Sequence, residues 1–266
     1  MKKSCILVIC FMFISISTVY GQPYKTHNFE VGTEISWLAY REPGVMKERG
    51  IMYGIVADYS YHKGIMFKID GKYSYGRLNY SGSLQDGTPL SVGSIPNYML
   101  EFRGVGGYDI NLPRGIVMTP YIGVGSRFLS DNMQKKSPAG YKRESNYLYS
   151  PIGLETNFDL CNGWFLGNVL EYDLLWWGHQ KSRLSDVDYR FNSLYNHQST
   201  GWGARGSLSI QKRWEKFSIK FGPYIKYWCI STSDTDTIEF KGRASGSGVE
   251  PNNRSREIGG SLTIMF

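Results

Sequence analysis

The sequence predicts an all-β chain: one transmembrane antiparallel up-and-down β-barrel of about ten strands. Three observations predict it. Long segments alternate apolar and polar residues, their connections are alternately very short and long, and the last segment ends on an aromatic residue. The composition agrees. Tyr (20), Phe (13) and Gly (31) are abundant among 266 residues, and aromatics reach 15%. Beyond the first twenty residues no apolar run approaches the ~20 residues of a membrane helix. Any crossing of a bilayer must therefore be made by alternating strands.

The N-terminus has the layout of a secretory signal peptide. Lys2 and Lys3 give the charge, Cys5 to Ser17 is the apolar run, and Val19-Tyr20-Gly21 precedes a cleavage point at Gln22. The expected division is residues 1–21 as a cleaved signal and 22–266 as an outer-membrane barrel domain. An uncleaved anchor helix is disfavoured, because the run is short and stops at polar residues. Cleavage removes Cys5 and Cys10 and leaves Cys161 and Cys229. The strand map puts these two at opposite ends, too far apart for a disulfide. The formal charge of +7 falls by two with Lys2 and Lys3. That mild excess suits an anionic surface without requiring one.

The expected strands are 27–40, 50–62, 65–80, 97–110, 116–130, 146–160, 164–180, 201–213, 217–231 and 255–266. Tight turns are expected at Lys63-Gly64, Asn111 to Gly115, Cys161-Asn162-Gly163 and Glu215-Lys216. An even strand number puts both termini on one side, expected to be periplasmic. Five connections, 41–49, 81–96, 131–145, 181–200 and 232–254, then face outward and carry turn-forming residues. The strands exceed the ~9–11 residues that span hydrocarbon, so the barrel should project beyond it. The segment 217–231 shows the two faces. Phe217, Ile219, Phe221, Pro223, Ile225 and Tyr227 fall on one, and Lys220 and Lys226 on the other. A charge on the lipid side costs about 2–4 kcal/mol near the midplane, which fixes the orientation. Trp37, Tyr53, Trp164, Trp176, Trp202 and Tyr227 fit aromatic girdles.

The other face is charged. It carries Glu30, Glu34, Asp58, Asp70, Glu101, Asp109, Glu155, Glu171, Asp173 and Glu257. With them go Lys68, Lys72, Arg103, Arg127, Arg205, Lys220 and Lys226. Buried charges must be paired, so a lumen charge network is expected. A barrel this narrow is filled by side chains, and an aqueous channel needs about 16 strands. A metabolite porin is disfavoured.

Resemblances add to this reading. Phe266 as the last residue, with Ile264, Leu262 and Ile258 on its face, resembles the signal read by the outer-membrane assembly machinery. The stretches PYIGVGSRFLSD, GYKRESNYLYSPIGLE, LSDVDYRFN and VEPNNRSREIGGSLTIMF resemble a family of bacterial outer-membrane barrels without assigned activity. Pro151-Ile152-Gly153-Leu154 through Leu166-Gly167 to Trp176 is similar to a strand pair of omptins, ten-stranded outer-membrane proteases. Omptins use an Asp pair facing an Asp–His pair to activate water. Here the second loop offers only Asp86. The fourth offers His179, Asp186 and Asp188, without the Asp-x-His spacing. His197-Gln198-Ser199 resembles the His-x-Ser pair of lipid A deacylases, in which His activates Ser. It is expected in or beside a loop, and Thr200 stands where that family has Asn.

No metal constellation or cofactor site is expected, because His27, His62, His179 and His197 are assigned to different elements and the cysteines lie apart. Gly104-Val105-Gly106-Gly107 lies inside a strand and is no phosphate loop. The basic residues form no nucleic-acid stripe. The leading expectation is a non-enzymatic surface barrel with a plugged lumen. Its loops would contact lipopolysaccharide, host or another protein. A membrane hydrolase of omptin shape is the alternative, and a narrow pore the third reading.

Overall fold

The computed structural model describes residues 25–84 and 87–266, so the signal-peptide residues and Asp86 lie outside the described residues. The elements are β1 (His27–Glu42), β2 (Met46–Lys63), β3 (Ile65–Ser83), β4 (Pro89–Tyr108), β5 (Ile110–Leu112), β6 (Ile116–Asn132), β7 (Lys142–Asp159), β8 (Trp164–Ser182), β9 (Leu194–Gln198), β10 (Gly201–Arg213), β11 (Ser218–Ile230), β12 (Thr235–Phe240), β13 (Arg243–Val249) and β14 (Asn253–Met265). All pairings are antiparallel, and the sheet closes as a ten-strand barrel. Here β4 with β5, and β9 with β10, each make one stave.

Closure joins β1 to β14, from Glu30 opposite Met265 to Arg41 opposite Arg254. The final residue completes the seam: Phe266 N–H donates to the Phe29 carbonyl at 2.9 Å, and Phe29 N–H donates back at 3.4 Å. Closing the ring leaves no unpaired wall edge, the condition a sheet must meet inside lipid.

The wall has a tight-turn end, which also holds the described chain ends, and a loop end. Its outward face is apolar over a broad band that includes Ile35, Ile55, Ile69, Phe102, Ile122, Leu170, Leu208, Phe221 and Leu262. Ile55 is 61% exposed and Leu170 65%. Apolar surface this continuous has a favourable neighbour only in hydrocarbon. Trp164 and Tyr108 edge the band at the tight-turn end, and Trp37, Tyr53, Tyr75 and Trp176 at the other.

Toward the loop end the polarity inverts. On β1, β2, β3 and β14 the outward residues become Arg41, Lys47, Arg49, Arg77, Arg254 and Arg256. The inward residues at that height become apolar: Leu38, Met52, Leu78 and Met99 are buried together against Leu129. Beside them Tyr147, Tyr149, Leu175, Trp228 and Ile230 form a second buried cluster. Just above the lipid band this part of the wall is thus built like a water-soluble protein, greasy inside and charged outside.

This inversion explains where the expected strands fall short. Segment 41–49 reads as a loop because both faces look polar. In the structure β1 and β2 run on to a turn at Pro43-Gly44, where Val45 N–H donates to the Glu42 carbonyl at 3.0 Å. Gly44 has φ of 82°, which the third position of a type II turn requires. The second connection shrinks likewise, because β4 starts at Pro89 rather than 97. The fourth holds the short strand β9, and the fifth folds into the hairpin β12–β13.

Two glycines seat aromatic rings across the lumen. A Cβ on Gly153 would overlap the Tyr121 ring, and one on Gly125 the Tyr149 ring. Both tyrosines are buried and reach the lumen acids. Gly153→Val should therefore destabilise the barrel by about 1–3 kcal/mol, the usual cost of overpacking. Urea unfolding in detergent, followed by gel mobility, measures it.

Candidate functional site: the lumen and its loop-end mouth

The centre of the lumen is an ionic layer. Arg103 forks onto Asp70 at 2.9 and 3.0 Å, and its Nη1 donates to Glu171 at 2.7 Å. Arg205 Nη2 donates to Glu101 at 2.6 Å. Its Nε lies 2.9 Å from Glu171, near enough for attraction but not aligned as a hydrogen bond. Lys226 donates to Glu101 at 2.8 Å. Tyr149 and Tyr121 donate to Glu101 and Glu171 at 2.7 Å each. Lys72 bridges Glu34 and Glu257 on the β1–β14 side. Nearer the tight turns, Lys220 pairs with Glu30, and Lys68 lies 3.8 Å from Glu155. These partners come from opposite walls, so the network ties the ring across its diameter.

Arg127 and one oxygen of Asp173 stand apart from the pairing. Arg127, expected in the charge network, has no carboxylate partner among the described residues. Its guanidinium lies 3.4 Å from Ser255 Oγ and from Met99 Sδ, and 5.8 Å from the Trp228 ring centre. It belongs to the apolar layer, where the aromatic face takes the place of an acid. Asp173 is buried with Oδ1 unpartnered, beside Glu171 on the same strand face.

Space inside the barrel is divided. A cavity of about 220 Å³ lies in the half nearer the tight turns, lined by Glu30, Asp58, Lys68, Asp70, Lys220 and Gln211 among others. A water-sized one of about 30 Å³ lies at the loop end, lined by Tyr40, Glu48, Asn97, Asp131 and Arg143 among others. The ionic layer and the apolar clusters sit between them.

The mouth is acidic. Glu42, Glu48, Asp131 and Glu250 are all buried around Arg143. Arg143 donates to Glu42 at 2.6 Å and lies 3.4 Å from Asp131 and 4.0 Å from Glu250. Tyr40 donates to Glu42 and Glu250 at 3.1 Å, and Asn97 donates to Glu48 at 2.7 Å. Sequence reasoning missed this cluster because Arg143 and all four acids were assigned to loops. Glu250, between β13 and β14, is pushed up to about 7 by burial, with Glu42 adding repulsion against the pull of Arg143. A raised carboxyl loses folding stability as pH climbs from its unfolded value near 4.5 through about 7, because only the unfolded chain ionises freely. Glu250→Gln should flatten the fall in stability between pH 5 and about 7.5, read from thermal unfolding.

The described residues suggested for catalysis form no single constellation, although His179 on β8 and His197 on β9 are cross-strand partners. Asp186 lies in a loop and accepts the Lys142 N–H at 2.9 Å. Asp188 pairs with Arg190, whose hydrogen bonds hold its carboxyl at about 2, too acidic for a base near neutrality. His179 is on β8 and points outward. His197 lies on β9 rather than beside a loop, and Ser199 just beyond it. No hydrogen bond joins their side chains. Among the described residues no group of three or more His, Cys, Asp and Glu could hold a metal ion. Cys161 and Cys229 lie at opposite ends of the wall and form no disulfide.

No protein-family model matches the chain, and no curated protein does. Among solved structures, the outer membrane protease OmpT of Escherichia coli superposes with a TM-score of 0.65 at 8% identity, covering 93% of this chain and 98% of that one. The translocator domain of the autotransporter NalP from Neisseria meningitidis gives 0.41 at 10% identity, covering 90% and 89%. The toluene transporter TodX of Pseudomonas putida gives 0.36 at 9%, covering 91% and 89%. At these identities the likeness to OmpT is one of fold. A closed ten-strand barrel of that fold, girdled by an apolar band, makes this chain an integral protein of the bacterial outer membrane.

Proposed function

We propose that the protein is a non-enzymatic surface barrel, a rigid post whose loop end faces outside the cell and presents a preformed platform to a macromolecule. The observation that carries this reading is the interlocking of the two longest connections. Asn192 donates to the Thr237 carbonyl at 2.8 Å and accepts from Glu239 N–H at 2.9 Å. Asp236 accepts from Tyr195 N–H at 2.7 Å, and Asp234 from His197 N–H at 2.6 Å. Asn196 reaches the carbonyls of Asp234 and Gly248. Loops held this way lose little entropy on binding. They present Tyr189, 86% exposed, with Val187 and Val249.

The outward orientation is supported by the basic rows. Arg254, Arg41 and Lys47 face one another across three strands, with Arg256 and Arg49 one pleat below flanking Ala39. Like charges in register repel, and none of these five has an acid partner among the described residues. Anionic phosphates of lipopolysaccharide at the membrane boundary would relieve that repulsion. The strand that ends in Leu262, Ile264 and Phe266 is the part offered to the assembly machinery.

The test has two arms. Ser245→Cys at the exposed hairpin should react with a membrane-impermeant maleimide on intact cells lacking the native thiols. Refolded protein with lipopolysaccharide should show no peptidase or lipid A hydrolase turnover. A hairpin labelled only after lysis overturns the orientation, and turnover lost in His197→Ala or Asp186→Ala overturns the non-enzymatic reading.

A further inference from the structure

The outer wall at the loop end carries a pair of histidines that the sequence keeps eighteen positions apart. β9 pairs with the upper part of β8, from Gly178 opposite Gln198 to Ser182 opposite Leu194. His179 and His197 are direct cross-strand partners in that register, both on the outer face. Their ring centroids are 5.3 Å apart and their planes inclined by 54°. We propose that these two imidazoles chelate a divalent first-row transition-metal ion.

The geometry supports a chelate. Metal–nitrogen bonds of ~2.0–2.1 Å at a tetrahedral angle place two imidazole centres roughly 5 Å apart, allowing for the distance from nitrogen to ring centre. The observed separation of 5.3 Å matches that span. Neither ring makes a hydrogen bond among the described residues, so the ring nitrogens are available as ligands.

The frame is rigid. His197 is fixed through its backbone, whose N–H donates to Asp234 and whose carbonyl accepts from Asp234 N–H at 3.0 Å. Trp177 stacks on His179 at 5.5 Å with planes 4° apart, and Tyr195 packs on it at 5.8 Å. A supported pair spends little freedom on closing around an ion.

Nearby Lys181 is held over the Tyr195 ring, 5.2 Å from its centre, and cannot ligate while charged. With two protein ligands the remaining positions are open to water or to a donor on a bound partner. Ligation by imidazole suits zinc, copper and nickel rather than magnesium or calcium.

The test is calorimetric titration of Zn²⁺ into the refolded, untagged full barrel at pH 7.5, after chelator treatment. One ion per chain is expected. His179→Ala and His197→Ala should each weaken binding at least tenfold, and His27→Ala should leave it unchanged. Binding should weaken at pH 5.5, where protons compete for imidazole nitrogens. Heat-modifiable gel mobility checks that each variant still forms the barrel. Absence of saturable binding overturns the proposal. So does binding retained in the double variant, or a loss confined to one of the two single variants.

Discussion

Glu171→Ala should destabilise the barrel by about 3–5 kcal/mol, the usual cost of stranding a buried charge partner. The side chain is fully enclosed and meets groups from three other strands: Arg103 on β4 and Tyr121 on β6 donate to it, and the Arg205 guanidinium on β10 lies 2.9 Å away. Removing it leaves two guanidiniums sharing Asp70 and Glu101. Glu171→Gln should cost less, because an amide oxygen still accepts from Tyr121. Urea unfolding in lipid or detergent, followed by gel mobility, measures both. A loss below about 1 kcal/mol for the alanine variant would show that the cross-lumen network does not hold the ring.

The neighbouring residue gives the second large effect, for the opposite reason. Leu170 is 65% exposed and points away from the lumen. On a water-soluble protein Leu170→Arg would be a surface change within about 0.5 kcal/mol. Here it sits near the middle of the apolar band, opposite Leu154 and Gly206 on the adjoining strands. Arginine there should cost about 2–4 kcal/mol in folding into lipid vesicles. Tyr189→Arg, at a loop position still more exposed, should change stability by less than about 0.5 kcal/mol. Equal effects at both positions would place the wall in water. Consecutive residues thus separate the two contributions, ion pairing inside and lipid contact outside.

Much of this was legible in the sequence, and the limits have a physical pattern. Within the lipid band each strand has one greasy and one polar face, so alternation assigns Phe221 outward and Lys220 inward without ambiguity. Tight turns are marked by Gly64, Cys161-Asn162-Gly163 and Arg114, all at positive φ. Above the band the rule reverses. Arg41 and Glu42 are then both polar on opposite faces, the contrast vanishes, and strand reads as loop. The acidic mouth around Arg143 was hidden for that reason. The histidine pair was hidden because β9 is five residues long and its register is set by pairing, not by any local pattern. Arg127 shows a different limit, since side-chain type gives a face but not a partner.

The account is tested most directly by spin labels placed singly from Phe67 to Ser81 on β3 in the lipid-reconstituted barrel. Oxygen should relax the labels at 67, 69, 73 and 75 strongly, and a water-soluble nickel complex should not. At 77, 79 and 81 the preference should switch to the nickel complex, while intervening labels meet neither reagent freely. A uniform response along the outward positions, with no switch near Arg77, would contradict a lipid-spanning band capped by an inverted, water-facing collar.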